Sequence, residues 1–133
     1  MSDERPTYVD SSALVKLVVR EPETAALRLY LRRRGPLVSS ALARTEVVRA
    51  LLLFGAPAVA RAAEVLARVD LVRVNDRVLS LAGNLLPFDL RSLDAIHLAT
   101  ARLLGPAMRD FVTYDRRMAA VAATLGFRVA APG

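Results

Sequence analysis

The chain has 133 residues, 54% of them hydrophobic, and a mean hydropathy of +0.34, which suits one well-formed core and excludes a disordered polypeptide. It contains no cysteine, so disulfides, thiolate catalysis and Cys-bound zinc or iron–sulfur centres are excluded. A net charge of +6 and a pI near 10.9 favour a polyanionic partner, although only Lys16 among the 19 basic residues is lysine, an arginine bias that a GC-rich genome also produces.

In chain order, Thr7–Asp10 reads as a short buried strand, followed by a helix from Ser12 to Arg20 with Ser11 and Ser12 available as caps. Pro22 opens a second helix that reaches Arg34, where Gly35-Pro36 breaks it. Leu37-Val38-Ser39 is a strand, and helices from Ala41 to Phe54 and from Ala58 to Val69 flank the break at Gly55-Ala56-Pro57. Leu71–Val74 is a strand, and a helix then runs to about Leu86. A helix capped by Ser92 carries Asp94, Phe111–Tyr114 is a strand, and Arg116–Leu125 is a helix stopped by Gly126. Phe127-Arg128-Val129 is the last strand.

No repeat or Gly/Ser linker interrupts this alternation, so residues 1–133 are expected to form one α/β domain with a central, mostly parallel sheet between helical layers. No apolar stretch is long enough to span a bilayer, and the opening Met1-Ser2-Asp3-Glu4-Arg5-Pro6 is unlike a signal peptide. A cytoplasmic protein without membrane contact is the expectation.

Four acids stand where ordinary surface chemistry explains them poorly: Asp10, Glu46, Asp94 and Asp115. Asp10 and Asp115 each close a short apolar strand, the edge on which open α/β sheets bind ligands. Asp94 opens a helix, where the macrodipole alone rewards it by about 0.3–1 kcal/mol. Asp10 and Asp115 can likewise be read as caps. Glu46 lies in a helix of Ala, Leu and Val, either paired at the rim with Arg49 or lining a pocket. Burying carboxylates costs several kcal/mol unless they pair, protonate or hold a cation. If the four converge, a divalent cation acting on phosphate is the economical reading, and their oxygens suit Mg²⁺ or Mn²⁺.

The chain resembles the PIN-domain nucleases, and most closely the toxin ribonucleases of VapBC toxin–antitoxin modules. The resemblance rests on Tyr8-Val9-Asp10-Ser11-Ser12-Ala13-Leu14-Val15-Lys16-Leu17, on Ser40–Val48 around Glu46, on Leu90–Ala101 around Asp94, and on Phe111–Met118 around Asp115. It implies a three-layer α/β/α fold whose acids bind Mg²⁺ or Mn²⁺ and cleave single-stranded regions of RNA. Asp10 and Asp94 match the principal metal ligands. Glu46 and Asp115 match the other catalytic acids, and Thr113 matches a small polar residue that supports the last acid. The resemblance also implies a cognate VapB-type antitoxin whose C-terminal segment wraps the toxin, a homodimer, and a toxin–antitoxin hetero-oligomer that represses its own operon.

Other residues keep two readings open. His97 shares a helix face with Asp94, and packing or a hydrogen bond is favoured over a role as catalytic base. Ser11 and Ser12 are caps, or touch metal-bound water or phosphate. Arg116 and Arg117 flank Asp115 and either stay in solvent or reach a substrate phosphate. Arg32-Arg33-Arg34 reads as a solvated helix end, and Leu51–Phe54 as mostly core, part of it available to a partner. Other functions in view are an RNA-processing nuclease without an antitoxin and a non-catalytic acidic module that captures basic peptides. A phospho-receiver is disfavoured, because it needs a lysine late in the chain and only Lys16 is present.

Overall fold

A computed structural model describes residues 4–133; Met1–Asp3, part of the polar opening segment, lie outside the described residues. The strands are β1 (Thr7–Val9), β2 (Leu37–Ser40), β3 (Asp70–Val72), β4 (Phe111–Val112) and β5 (Val129–Ala130). The helices are α1 (Ser11–Val18), α2 (Thr24–Leu31), α3 (Ala43–Leu51), α4 (Ala56–Leu66), α5 (Asp76–Gly83), α6 (Ser92–Leu103) and α7 (Arg116–Thr124). All strand pairs are parallel, in the order β3-β2-β1-β4-β5. The chain builds outward from β1 to β3, then crosses to the other side of β1, so the order reverses between β1 and β4.

Alternation along the strands makes the three layers. Val9 and Val112 face one side and pack with Leu14 and Val18 of α1, Leu27 of α2, Val47 and Leu51 of α3, and Ala62 and Leu66 of α4. Tyr8 and Phe111 face the other side, stacked with ring centroids 4.9 Å apart, against Leu98 and Ala101 of α6 and Met118 and Ala122 of α7. Helix α5 packs on the outer flank of α6 through Val78, Ala82, Ala95 and Ala99. Each fully buried Leu or Val contributes about 1.5–3 kcal/mol, which is why two-residue strands suffice as a frame.

The expected α/β/α architecture with a parallel sheet is observed, with local corrections. Helix α3 begins at Ala43, which moves Glu46 from the helix interior to its first turn. Helix α6 begins at Ser92 with Arg91 at the cap position and no side-chain cap bond, so Ser92 is not the cap. Pro57 lies in the first turn of α4, where its missing N–H costs nothing, and Gly55 supplies the break with φ of +88°. Strand β5 pairs through Val129 and Ala130, two residues later than Phe127 suggests, because Phe127 turns inward and stacks on Phe111 at 5.6 Å. Leu51–Phe54 is not mostly core. Leu51 is buried, but α3 ends there and a single 3₁₀ turn swings Leu52, Leu53 and Phe54 outward, leaving Leu53 90% exposed.

Arg34 is not a solvated helix end. It stacks 3.6 Å over the Tyr30 ring and bonds Asp110 Oδ2 at 3.2 Å. Asp110 is fully buried just before β4, where the Tyr30 hydroxyl also donates to Oδ2 at 2.5 Å. Its Oδ1 has no hydrogen-bond partner among the described residues but lies 3.6 Å from Arg128 Nε. This ionic cluster sits at the amino ends of the strands, away from the edge that carries Asp10.

Candidate active site

One cavity of about 360 Å³ at the carboxyl edge of the sheet is lined by Asp10, Glu46, Asp94 and Asp115 together. It lies where the strand order reverses, with Asp10 directly after β1 and Asp115 after β4; the Asp10 N–H bonds Val112 O at 3.1 Å. Convergence of the four acids is thus a consequence of topology. Ser11, Ser12, Arg91, Ser92 and His97 complete its polar lining.

Asp10 is the most deeply placed, at 2% exposure. It is also the N-cap of α1, as the ordinary reading of its position allowed: Oδ1 accepts from Ala13 N–H at 3.1 Å and from Ser12 Oγ at 2.6 Å. Oδ2 accepts from Thr113 Oγ1 at 2.5 Å. Burial pushes this carboxyl above the usual range, and the bonds from Ser12, Thr113 and Ala13 with the nearby His97 offset only part of that push. Thr113 in turn accepts the Asp115 N–H at 3.1 Å, so one hydroxyl links the first and last acids. Ser12 Oγ accepts the Tyr114 N–H at 2.9 Å, tying α1 to the end of β4. Ser11 and Ser12 are thus not the caps of α1, a place taken by Asp10; the Ser12 hydroxyl bonds Asp10 instead, and Thr113 also donates to Asp10, reaching the last acid only through the Asp115 N–H.

Glu46 projects from the first turn of α3 toward α6. Its Oε1 accepts from Ser11 Oγ at 2.6 Å and lies 2.6 Å from His97 Nε2. Burial raises the Glu46 pKa, but the hydrogen bonds from His97 and Ser11 and the His97 charge outweigh it, holding the carboxyl below its usual range. An ionised carboxylate only accepts, so Nε2 carries a proton. His97 Nδ1 meets the Tyr8 hydroxyl at 2.6 Å, and that hydroxyl accepts from Ser40 N–H at 3.1 Å. His97 is a buried hydrogen-bonding residue, in line with the favoured reading, yet its partner is a candidate catalytic acid. The expected alternative partner Arg49 is not the one used.

Asp115 is the N-cap of α7, its Oδ1 accepting from Arg117 and Met118 N–H at 2.9 and 3.1 Å. Its Oδ2 lies 3.3 Å from Arg91 Nη2, while Arg91 Nε donates to Asp94 Oδ2 at 3.1 Å. Arg91 thus bridges the two outer acids, a residue sequence reasoning passed over although it stands three positions before Asp94. The available signal was a cation at the cap position of an acid-bearing helix. Arg116 is exposed and does not line this cavity; Arg117 lines a smaller adjoining one with Arg91 and Asp94.

The donor set tests which ion these residues suit. Four carboxylates and no thiolate match a hard, oxygen-seeking divalent cation of the Mg²⁺ or Mn²⁺ kind, and the one imidazole is already committed to Glu46. The set fits in kind. As arranged, its members are partnered by protein donors, and among the described residues no three His or acidic side chains close around a single point.

A doubly wound parallel sheet with a carboxylate-lined cavity at its switch point defines the class. The PIN-domain family model matches residues 7–124, and the chain belongs to the PIN-domain family. It is 62% identical over 125 residues to Ribonuclease VapC46 of Mycobacterium tuberculosis (strain ATCC 25618 / H37Rv), covering 94% of this chain and 96% of that protein. It is 39% identical over 131 residues to Ribonuclease VapC47 of Mycobacterium tuberculosis (strain CDC 1551 / Oshkosh), covering 95% and 96%. The fold is shared with the crystal structure of Mycobacterium tuberculosis VapC20, a sarcin-ricin loop cleaving toxin, at TM-score 0.72, 21% identity and 91% and 95% coverage. It is shared also with a toxin–antitoxin complex from Klebsiella pneumoniae, at TM-score 0.74, 20% identity and 96% and 98% coverage.

Proposed function

We propose that this chain is a metal-dependent endoribonuclease, the toxin of a type II toxin–antitoxin pair. The observation that carries the chemistry is the single cavity lined by Asp10, Glu46, Asp94 and Asp115 at the sheet's switch point. The toxin role is supported by the 62% identity to a protein named as a VapC ribonuclease.

Asp10, Asp94, Glu46 and Asp115 are the residues to hold Mg²⁺ or Mn²⁺, which when bound neutralises phosphate charge and acidifies a coordinated water. The chain's own contribution is orientation. Ser12, Thr113 and the Ala13 N–H fix the Asp10 carboxylate, and Ser11 with His97 fixes Glu46. Glu46, lining the cavity and kept in the acceptor form by Ser11 and His97, is an acid suited to orient the attacking water. In-line attack by water needs no nucleophilic side chain, which agrees with a chain lacking cysteine. Arg116, exposed after Asp115, is a candidate for steering RNA toward the mouth.

The same reading takes residues 1–133 as one domain acting in the cytoplasm, as a homodimer and in a hetero-oligomer with a VapB-type antitoxin. Among the described residues no helix is long and apolar enough to cross a membrane.

The test is cleavage of a mixed RNA pool by purified protein with Mg²⁺, Mn²⁺ or EDTA, beside Asp94→Asn. Cleavage should require the cation and fall at least about 100-fold in the variant, with its melting curve unchanged. Full activity in Asp94→Asn would overturn the site assignment. Cleavage unaffected by EDTA would overturn the metal dependence.

A further inference from the structure

Arg91 is the one arginine or lysine paired with the cavity's acids among the described residues, and it contacts two of them at once. Its guanidinium spans Asp94 Oδ2 at 3.1 Å and Asp115 Oδ2 at 3.3 Å, joining acids from α6 and from the start of α7. Asp94 and Asp115 would otherwise repel one another, and the arginine between them offsets that repulsion. Both carboxylates present to Arg91 an oxygen that a hard cation would also use. Arg91 is itself 61% exposed, whereas the Asp94 and Asp115 side chains are 14% and 29% exposed. The arginine is therefore the solvent-facing member of the bridge and the two acids are its more buried members.

Exposed ion pairs are individually weak, so this bridge is readily exchanged. A guanidinium fork matches a phosphate as well as it matches a carboxylate, with paired N–H donors in one plane. An arginine displaced from Asp94 and Asp115 still stands at the cavity mouth, rooted at the cap position of α6.

We propose that Arg91 is an exchangeable counter-ion of this site, pairing Asp94 and Asp115 until a divalent cation takes their oxygens, then turning to the phosphate of the bound nucleic acid. The idea rests on the metal-dependent reading above. It adds that cation and arginine compete for the same carboxylates, and that the arginine becomes a phosphate contact only when it loses.

The test measures binding without turnover. Mn²⁺ is titrated by calorimetry into wild type, Arg91→Gln and Arg117→Gln in the absence of RNA. Arg117 lies beside the same acid and carries the same charge, but makes no ion pair with Asp94 or Asp115, so it controls for net charge. Arg91→Gln should bind Mn²⁺ about three- to tenfold more tightly, with Arg117→Gln within about twofold of wild type. Equal affinity in wild type and Arg91→Gln, or an equal gain in Arg117→Gln, overturns the competition while leaving the metal site standing. No Mn²⁺ binding by any of the three proteins overturns the metal-dependent reading and this proposal together. A second arm follows single-stranded RNA by fluorescence anisotropy, with Ca²⁺ and with EDTA. Arg91→Gln should lose about three- to tenfold in affinity with Ca²⁺ and less than about twofold in EDTA. An equal loss in both conditions overturns the exchange.

Discussion

Asp10 carries two duties that pull on its carboxylate in opposite directions. As a cap and an anchor for Ser12 and Thr113 it gains hydrogen bonds, yet burial makes its ionised form expensive. Because its pKa is raised on folding, the folded protein binds more protons than the unfolded chain between the ordinary carboxylate pKa, about 3.9, and the higher folded value. Stability therefore falls as pH rises through that interval and stays lower above it. Asp10→Asn removes this loss, since an amide oxygen can still accept from Ala13 N–H. In EDTA the variant should melt a few degrees above wild type at neutral pH, with the gap closing toward pH 4, while cleavage is lost. A melting temperature below wild type throughout would show that the Thr113 and Ser12 bonds outweigh the desolvation. His97 shows the complementary arrangement, a buried imidazole whose Nε2 meets the acid and whose Nδ1 meets Tyr8. Its neighbour Asp94 was visible from spacing; its link to Glu46 was not, because 51 residues separate them in the chain.

At the scale of elements, the two edges of the sheet hold charge for different ends. The carboxyl edge gathers acids around a solvent-open cavity, whereas the amino edge buries Asp110 against Tyr30 and Arg34. That second cluster ties the C-terminal end of α2 to the start of β4 and has the character of a structural pair. Removing one partner of a buried pair typically costs about 3–5 kcal/mol, since the other charge is left without compensation. Asp110→Ala should lower unfolding stability by about that amount in a urea titration, while Mn²⁺ affinity at the opposite edge stays within about twofold. A comparable loss of metal affinity would mean that the amino edge reaches the cavity through β4. The helix starts reveal the limits of pattern reading at this scale. Glu46 looked interior because Leu42 and Ala50 share its apolar stretch, but the chain does not enter α3 until Ala43. Leu52–Phe54 looked like core because apolar runs usually are; the 3₁₀ turn rotates them out of register with α3.

For the whole molecule, charge is divided between an acidic cavity and a surface rich in arginine. With a net charge of +6 despite four acids gathered in one place, the remainder is more basic than the sum. Long-range attraction of a polyanion follows, and it is screened by salt. If single-stranded RNA contacts three or more phosphates, log K should fall against log salt with a slope steeper than about −2 between 50 and 200 mM. Anisotropy at four salt concentrations measures it. A flat dependence would indicate that the arginines are not a nucleic-acid surface and would return weight to a partner bound mainly through apolar contacts such as Leu53 and Phe54.

The order of strands and helices and the parallel sheet were legible in the chain, and so were the four acids that line one cavity, since hydrophobic period and strand-end position are local properties. Proximity was not. Glu46 meets His97, Thr113 meets Asp10 and Arg91 reaches Asp115 across 51, 103 and 24 residues, contacts that no periodicity encodes. They exist because the sheet reverses its order between β1 and β4 and so brings four separate segments to one edge. Whether a carboxylate is an ordinary cap, an anchor for a neighbour or part of a reactive cavity depends on what surrounds it in space, and Asp10 and Asp115 are each more than one of these at once.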